Sequence, residues 1–216
     1  AYCGLNHGPE ILRENLSGKR IHEEVALVGI RVAQASGRDM SALIAEFTRA
    51  GSLTPVGASL SPAQRKELLS EMSKSGNASR GREIYLRPAL VCNTCHAVNG
   101  TGGKVGPDLS TVGTYMTPES LLESLLNPST SIKQGYETVL ITKKDGTVIS
   151  GTLDRKTEQG ARVRDAVGNI VFVPNQEIDK LDVSPVSLMP PGLTSSLRQD
   201  ELADLMKYLT GLGKGK

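Results

Sequence analysis

The five residues Cys92-Asn93-Thr94-Cys95-His96 carry the densest chemistry in the chain. Two thiols three positions apart, followed at once by an imidazole, make the spacing C-x-x-C-H. Both thiols can form thioethers with the two vinyl groups of one haem, and the imidazole next in sequence can bind the iron from that same face. Two other chemistries use the same residue types. A structural zinc site needs about four soft ligands, and outside the motif the chain offers only Cys3, His7 and His22. A redox dithiol belongs in a βαβ context, whereas the flanks here read as helix and Gly-rich loop. The motif therefore predicts one covalent haem c, with Cys92 and Cys95 as anchors and His96 as proximal ligand. Cys3 reads as an incidental thiol, since nothing near it in sequence would lower its pKa. His7 falls in a loop and His22 on a polar flank, and both read as surface histidines.

At 216 residues there is room for one or two domains with real cores. The formal net charge of +2 is too small to imply a nucleic-acid or anionic-membrane partner. Tryptophan is absent and aromatics make up 3% of the chain, so a haem would supply flat apolar surface that a core usually draws from such side chains. No run of about 18 apolar residues exists to span a membrane. The chain opens without Met on a short polar stretch, which reads as a mature product or an excised piece of something longer. No cluster of carboxylates, nucleophile with base, or phosphate loop points to catalysis, so no catalytic residue is assigned.

The elements that must position the motif follow from periodicity. Residues 1–76 read as a helical segment. Pro9 opens a helix through Leu16 that Gly18 closes. Ile21, Val25, Val28 and Val32, widened by Leu27 and Ile30, give a second helix stopped at Gly37. Asp39 can cap a third, with Leu43, Ile44 and Phe47 inside, running out at Gly51. After a loop with Pro55 and Gly57, Ser61-Pro62-Ala63-Gln64 has capping-box form, and Leu68, Leu69 and Met72 mark the inner face of a fourth helix. The expectation is the end of a stack of helical hairpins. A helix from Ser79 to Leu90 leads into the motif, Thr117-Pro118 starts another, and Asn127-Pro128 ends it. From 137 to 183 the period falls to two. Five short strands, turning at Asp145-Gly146, Glu158-Gln159-Gly160 and Gly168-Asn169, predict a small closed or half-open barrel. This segment is similar to Sm-like barrels, some of which bind RNA. Counting Lys133 just before it, eight basic residues are balanced by eight acids, and it offers no set of stacking aromatics, so RNA binding is not expected. A docking face for a redox partner, or a contact in a homodimer, is the expected role. Leu202, Leu205, Met206 and Leu209 line a last helix ending at Gly211.

Beyond the motif, Gly81 and Tyr85 on the leading helix, Tyr208 on the last helix, and the loop Gly102-Gly103-Lys104-Val105-Gly106-Pro107-Asp108-Leu109 resemble class I c-type cytochromes. The resemblance implies a close crossing of first and last helices. It also implies a Pro107 carbonyl that accepts the Nδ1–H of His96, with Leu109 in the same haem-facing loop. Five methionines compete to be the sixth ligand of iron. Met40 and Met72 lie on the N-terminal helices, Met116 follows the motif too closely, and Met206 sits in the apolar stripe of the last helix. Met189 is in a proline-stiffened loop directly before that helix, where class I cytochromes carry their distal methionine, and it is the expected second iron ligand.

The stretches CNTCH, GGKVGPDL, LNPST-SIKQGY, KKDGTVISG, SLMPPGL and ELADLMKYL, from about Gly76 to Gly213, further resemble the C-terminal haem-binding domain of large secreted planctomycete and verrucomicrobial proteins. Those often carry helical repeats and a dehydrogenase-like propeller. One departure is Arg198, where a capping Thr or Ser is expected. The fold expected from all this is mainly α: a cytochrome c core over 77–216, interrupted by a five-stranded β barrel at 137–183 and preceded by the helical segment. The resemblance implies electron transfer from a fused or partner dehydrogenase in a periplasmic or otherwise extracytoplasmic location. A haem-based gas or redox sensor with a labile distal ligand is the alternative, and the tail of an enzyme whose catalytic part lies elsewhere is a third.

Overall fold

A computed structural model describes residues 7–36, 40–52, 60–194 and 197–215. Cys3, Gly37, the Asp39 cap and the loop containing Pro55 and Gly57 lie outside the described residues. In chain order the elements are α1 (Gly8–Leu16), α2 (Glu23–Ala35), α3 (Ser41–Ala50), α4 (Pro62–Ser75), α5 (Ala78–Tyr85), α6 (Cys92–Cys95), β1 (Ala97–Val98), β2 (Thr101–Gly102), α7 (Val112–Tyr115), α8 (Pro118–Leu126), β3 (Thr138–Lys143), β4 (Val148–Lys156), β5 (Gly160–Arg164), β6 (Ile170–Pro174), β7 (Ile178–Ser184) and α9 (Gln199–Gly211). They fall into two compact units, Ala1–Thr54 with Lys133–Pro190, and Pro55–Ile132 with Pro191–Lys216. None of the described helices is long and apolar enough to cross a membrane.

In the first unit, α1 starts on Pro9, whose missing N–H costs nothing in a first turn, and Gly18 at φ 72° takes the left-handed exit. Ile30, Ala33, Met40, Leu43 and Phe47 form the core of α1 to α3. The inner face of α2 differs from the stripe its valines suggest. Val25, Val28 and Val32 are 56%, 50% and 46% exposed, and α2 turns Ala26, Ile30 and Ala33 inward. The Phe47 ring is the physical reason: it lies on Gly29, where an added Cβ would meet the ring carbons, so the large aromatic selects the small-residue side of the helix.

The five strands of this unit pair antiparallel in the order β6-β5-β4-β3-β7. Alternation places Val139, Ile141, Ala161, Val163 and Val173 on one buried face. Gly146 and Gly168, at φ 84° and 95°, make the hairpin turns where Asp-Gly and Gly-Asn mark them.

The expected fold class is corrected here. With 45% helix and 19% strand the chain is mixed rather than mainly α, the five strands form an open sheet rather than a barrel, and the whole is not a clear cytochrome c fold. The open sheet is nevertheless not flat. Only Asn175–Glu177 separates β6 from β7, a reach of about 14 Å at about 3.6 Å per residue. Those strands would stand about 19 Å apart in a flat sheet of five strands spaced about 4.8 Å. The sheet must therefore curl, helped by bulges at Thr142/Lys143 and Leu153/Arg155. Yet β6 pairs only with β5 and β7 only with β3, and β6 ends on Pro174, which has no N–H to give to a further strand.

In the second unit, α4 begins with the capping box the sequence announces. Ser61 Oγ accepts the Gln64 N–H at 3.3 Å, and Gln64 Oε1 accepts the Ser61 N–H at 2.9 Å. Its Leu68 and Met72 are buried, the Met72 sulfur lying 3.9 Å from the Thr210 hydroxyl of α9. Arg65 pairs with Glu123, tying α4 to α8, whose Leu121, Leu122, Leu125 and Leu126 point inward. The helix expected from Ser79 to Leu90 stops at Tyr85. Pro88 lacks an N–H and disfavours a helical residue before it, so the chain resumes only as a single tight turn over Pro88–Leu90.

Candidate functional site

The motif lies in the second unit, on a single helical turn. Val91 opens α6 in the left-handed region at φ 50°, which re-aims the chain after the Pro88–Leu90 turn. The His96 N–H closes the turn on the Cys92 carbonyl at 2.8 Å, and His96 itself leaves in an extended conformation. The two cysteines thus stand one turn apart, no disulfide joins them, and each is half-buried. The Cys92 thiol donates to the Leu90 carbonyl at 3.6 Å. Burial pushes it up to about 11, and the neighbouring Cys95 adds to the rise.

After His96 the chain makes a two-residue hairpin. Asn99 and Gly100, at φ 51° and 77°, form a turn with both central residues left-handed, joining β1 to β2. Asn-Gly is the strongest short hairpin signal in sequence, and reading the segment only as a Gly-rich loop misses it.

The loop 102–109 then folds back along the motif, and three of its N–H groups meet carbonyls of residues 93–97. The Gly103 N–H donates to Asn93 at 2.9 Å, Gly106 N–H to Cys95 at 2.8 Å, and Leu109 N–H to Ala97 at 2.8 Å. The His96 carbonyl accepts the hydroxyl of Tyr85 at 2.8 Å. Glycine is needed for this closeness. A Cβ on Gly103 would meet the Thr94 carbonyl, and one on Gly106 would lie 2.7 Å from Nδ1 and 2.8 Å from Nε2 of His96. The imidazole therefore rests on the Gly106 backbone.

The Pro107 carbonyl sits 2.8 Å from His96 Nδ1, the contact that the family resemblance implies. A carbonyl only accepts, so Nδ1 carries the proton and Nε2 keeps its lone pair. Burial lowers the pKa of His96, with the Pro107 hydrogen bond opposing, which holds the ring in this neutral form. Asn93 Oδ1, between the cysteines, is buried without a hydrogen-bond partner.

This unit is braced by the α5/α9 crossing. A Cβ on Gly81 would meet the Asp204 carbonyl and lie 2.8 Å from Tyr208 Cβ, so the helices approach through glycine. The Tyr85 and Tyr208 rings lie 5.6 Å apart at 51°. Asp204, 3% exposed, accepts the Asn77 N–H at 2.6 Å and the Arg80 guanidinium at 2.5 and 2.9 Å. Arg198 makes no side-chain cap at the start of α9. Its N–H is taken by Glu201 Oε2 at 3.1 Å, while its side chain forks onto Asp200.

The structure thus brings together Cys92, Cys95, His96, Pro107 and Leu109. Met189 belongs to the first unit, half-buried in the loop after β7, its N–H held by Ser187 Oγ at 3.1 Å. Met40, Met72 and Met206 are buried in helical cores. His7 and His22 are exposed. Among the described residues no three His, Cys, Asp or Glu side chains converge as a metal chelate. Four converging ligands are what a structural zinc would require; a haem iron asks one imidazole of this peptide. No protein-family model matches the chain, and no curated protein matches it.

Proposed function

We propose that Cys92 and Cys95 attach one haem c covalently, that His96 and Met189 are its axial ligands, and that the chain is an electron carrier. The observation that carries this reading is the His96 ring: Nδ1 held by the Pro107 carbonyl at 2.8 Å, so that Nε2 alone is left to coordinate. The donor set fits the group, with two thiols on the turn immediately before a neutral imidazole. When bound, the haem supplies a one-electron ferric/ferrous couple. The chain's part is to hold it through the two thioethers, to fix the proximal ring on Gly106 and Pro107, and to present Met189 as a soft second ligand. The thiols argue against a dithiol oxidoreductase, whose attacking cysteine has a lowered pKa, because burial moves Cys92 the other way. The class I resemblance of the Met189 loop supports the sixth ligand, and the same resemblance supports an extracytoplasmic setting and a dehydrogenase as electron donor.

The test is expression with a c-type maturation system. The expected product keeps its haem through denaturation, and Cys92→Ser with Cys95→Ser abolishes that retention. A chain recovered with both thiols alkylatable and no retained haem refutes the reading. The loaded ferrous protein is expected to be low-spin and to resist carbon monoxide; rapid CO binding by the untreated protein would favour a sensor over a carrier.

A further inference from the structure

Resting on the haem reading above, we infer that the Tyr85 hydroxyl is a positioning group for the proximal ligand: it pins the His96 main chain while Pro107 pins the His96 ring. Around the motif, the carbonyls of residues 93, 95 and 97 are each taken by a backbone N–H of the loop 102–109, at 2.9, 2.8 and 2.8 Å. The His96 carbonyl is held instead at 2.8 Å by a side chain from a different element, Tyr85 of α5. Tyr85 is itself 2% exposed, with its ring against Tyr208, and the helix bearing it is seated on α9 through Gly81. A proximal imidazole has two freedoms that matter to iron, rotation of the ring and displacement of its Cα. The bond from Nδ1 to Pro107 and the floor at Gly106 restrain the first. The Tyr85 bond restrains the second, because the peptide carbonyl of His96 moves with that Cα. The aromatic ring alone would serve the α5/α9 crossing; only the hydroxyl reaches the ligand residue.

The experiment compares the full-length haem-loaded parent with Tyr85→Phe and with Tyr208→Phe, which removes a hydroxyl from the same ring pair without touching His96. Three quantities are read: thermal stability, midpoint potential, and the hyperfine-shifted proton resonances of the His96 ring in the ferric state. Expected is a shifted potential and displaced or doubled His96 resonances in Tyr85→Phe, with Tyr208→Phe leaving both at parent values even where its melting temperature falls. Parent-like potential and resonances in Tyr85→Phe overturn the inference while leaving the haem reading intact. A parent that never acquires haem overturns both. Should Tyr85→Phe fail to fold, the parent grown with 3-fluorotyrosine and His96 labelled with ¹³C at its carbonyl reads the same bond. A more acidic phenol should move that carbonyl shift, and an unmoved shift refutes the contact.

Discussion

Gly81→Ala tests whether the α5/α9 crossing is as tight as the geometry requires. On an isolated helix the change would stabilise by about 1 kcal/mol, the propensity difference between Gly and Ala. Here the added methyl would run into the Asp204 carbonyl oxygen, with the Asp204 carbonyl carbon at 2.6 Å and Tyr208 Cβ at 2.8 Å. These are backbone and Cβ atoms, so no flexible side chain can swing away, and the helices must separate. Overpacking of this kind costs about 1–3 kcal/mol. The rigid obstacle places Gly81→Ala at the upper end, about 3 kcal/mol, and the propensity gain offsets about 1. The net expectation is about 2 kcal/mol of destabilisation, or about 4–8 °C in Tm at this chain length. Separation would also stretch the Arg80 and Asn77 bonds to Asp204 and carry Tyr85 away from the His96 carbonyl. Thermal unfolding followed by far-UV circular dichroism, with amide exchange over Ala78–Tyr85, measures both effects. Gly211→Ala is the control, since a Cβ there meets nothing within 4 Å; it should be neutral or slightly stabilising. A Gly81→Ala protein as stable as the parent, with unchanged exchange in α5, would refute the close crossing and the bracing of His96 argued from it.

Gly106→Ala should displace the His96 ring, since the methyl would lie 2.7 Å from Nδ1; an altered ferric spectrum and potential are expected, and parent-like values of both would remove Gly106 as the floor of the ring. Met189→Ala should open the sixth position, so that the ferrous protein binds CO and the potential falls, because a thioether favours ferrous iron; an unchanged spectrum strikes Met189 from the ligands. Glu201 is held below its ordinary carboxylate range first by the Arg87 hydrogen bond, and Glu123 first by that of Arg65. Depressed carboxylates stabilise the fold above their unfolded pKa of about 4.3, and that share is lost as pH falls through their folded values. Glu201→Gln with Glu123→Gln should therefore lower stability at pH 7 and flatten its decline below about pH 4; equal acid slopes in parent and variant, read from urea midpoints, would contradict these pairings.

What the sequence determined alone was local. The C-x-x-C-H spacing, the capping box at Ser61, the Pro9 and Pro118 helix starts, and the Asp-Gly hairpin are legible because each rests on chemistry within about four residues. Asn99-Gly100 was equally legible as a hairpin. The Pro107 contact was reachable only through resemblance, since eleven residues separate the carbonyl from His96 and no periodicity spans that gap. Tertiary structure decided the rest. Phe47 selected the buried face of α2, where three valines compete with a smaller-residue side. Strand signals could locate five strands but not their closure, because pairing between β6 and β7 depends on how far the sheet curls and on which N–H groups its edges keep. At Arg198 the hydroxyl half of a capping box is missing, and Glu201 supplies the other half by accepting the Arg198 N–H, a contact set by the first turn of α9. The Tyr85 bond to His96 exists only once Gly81 has let α5 settle against α9, so the hold on the candidate ligand is a product of packing that spacing along the chain does not encode.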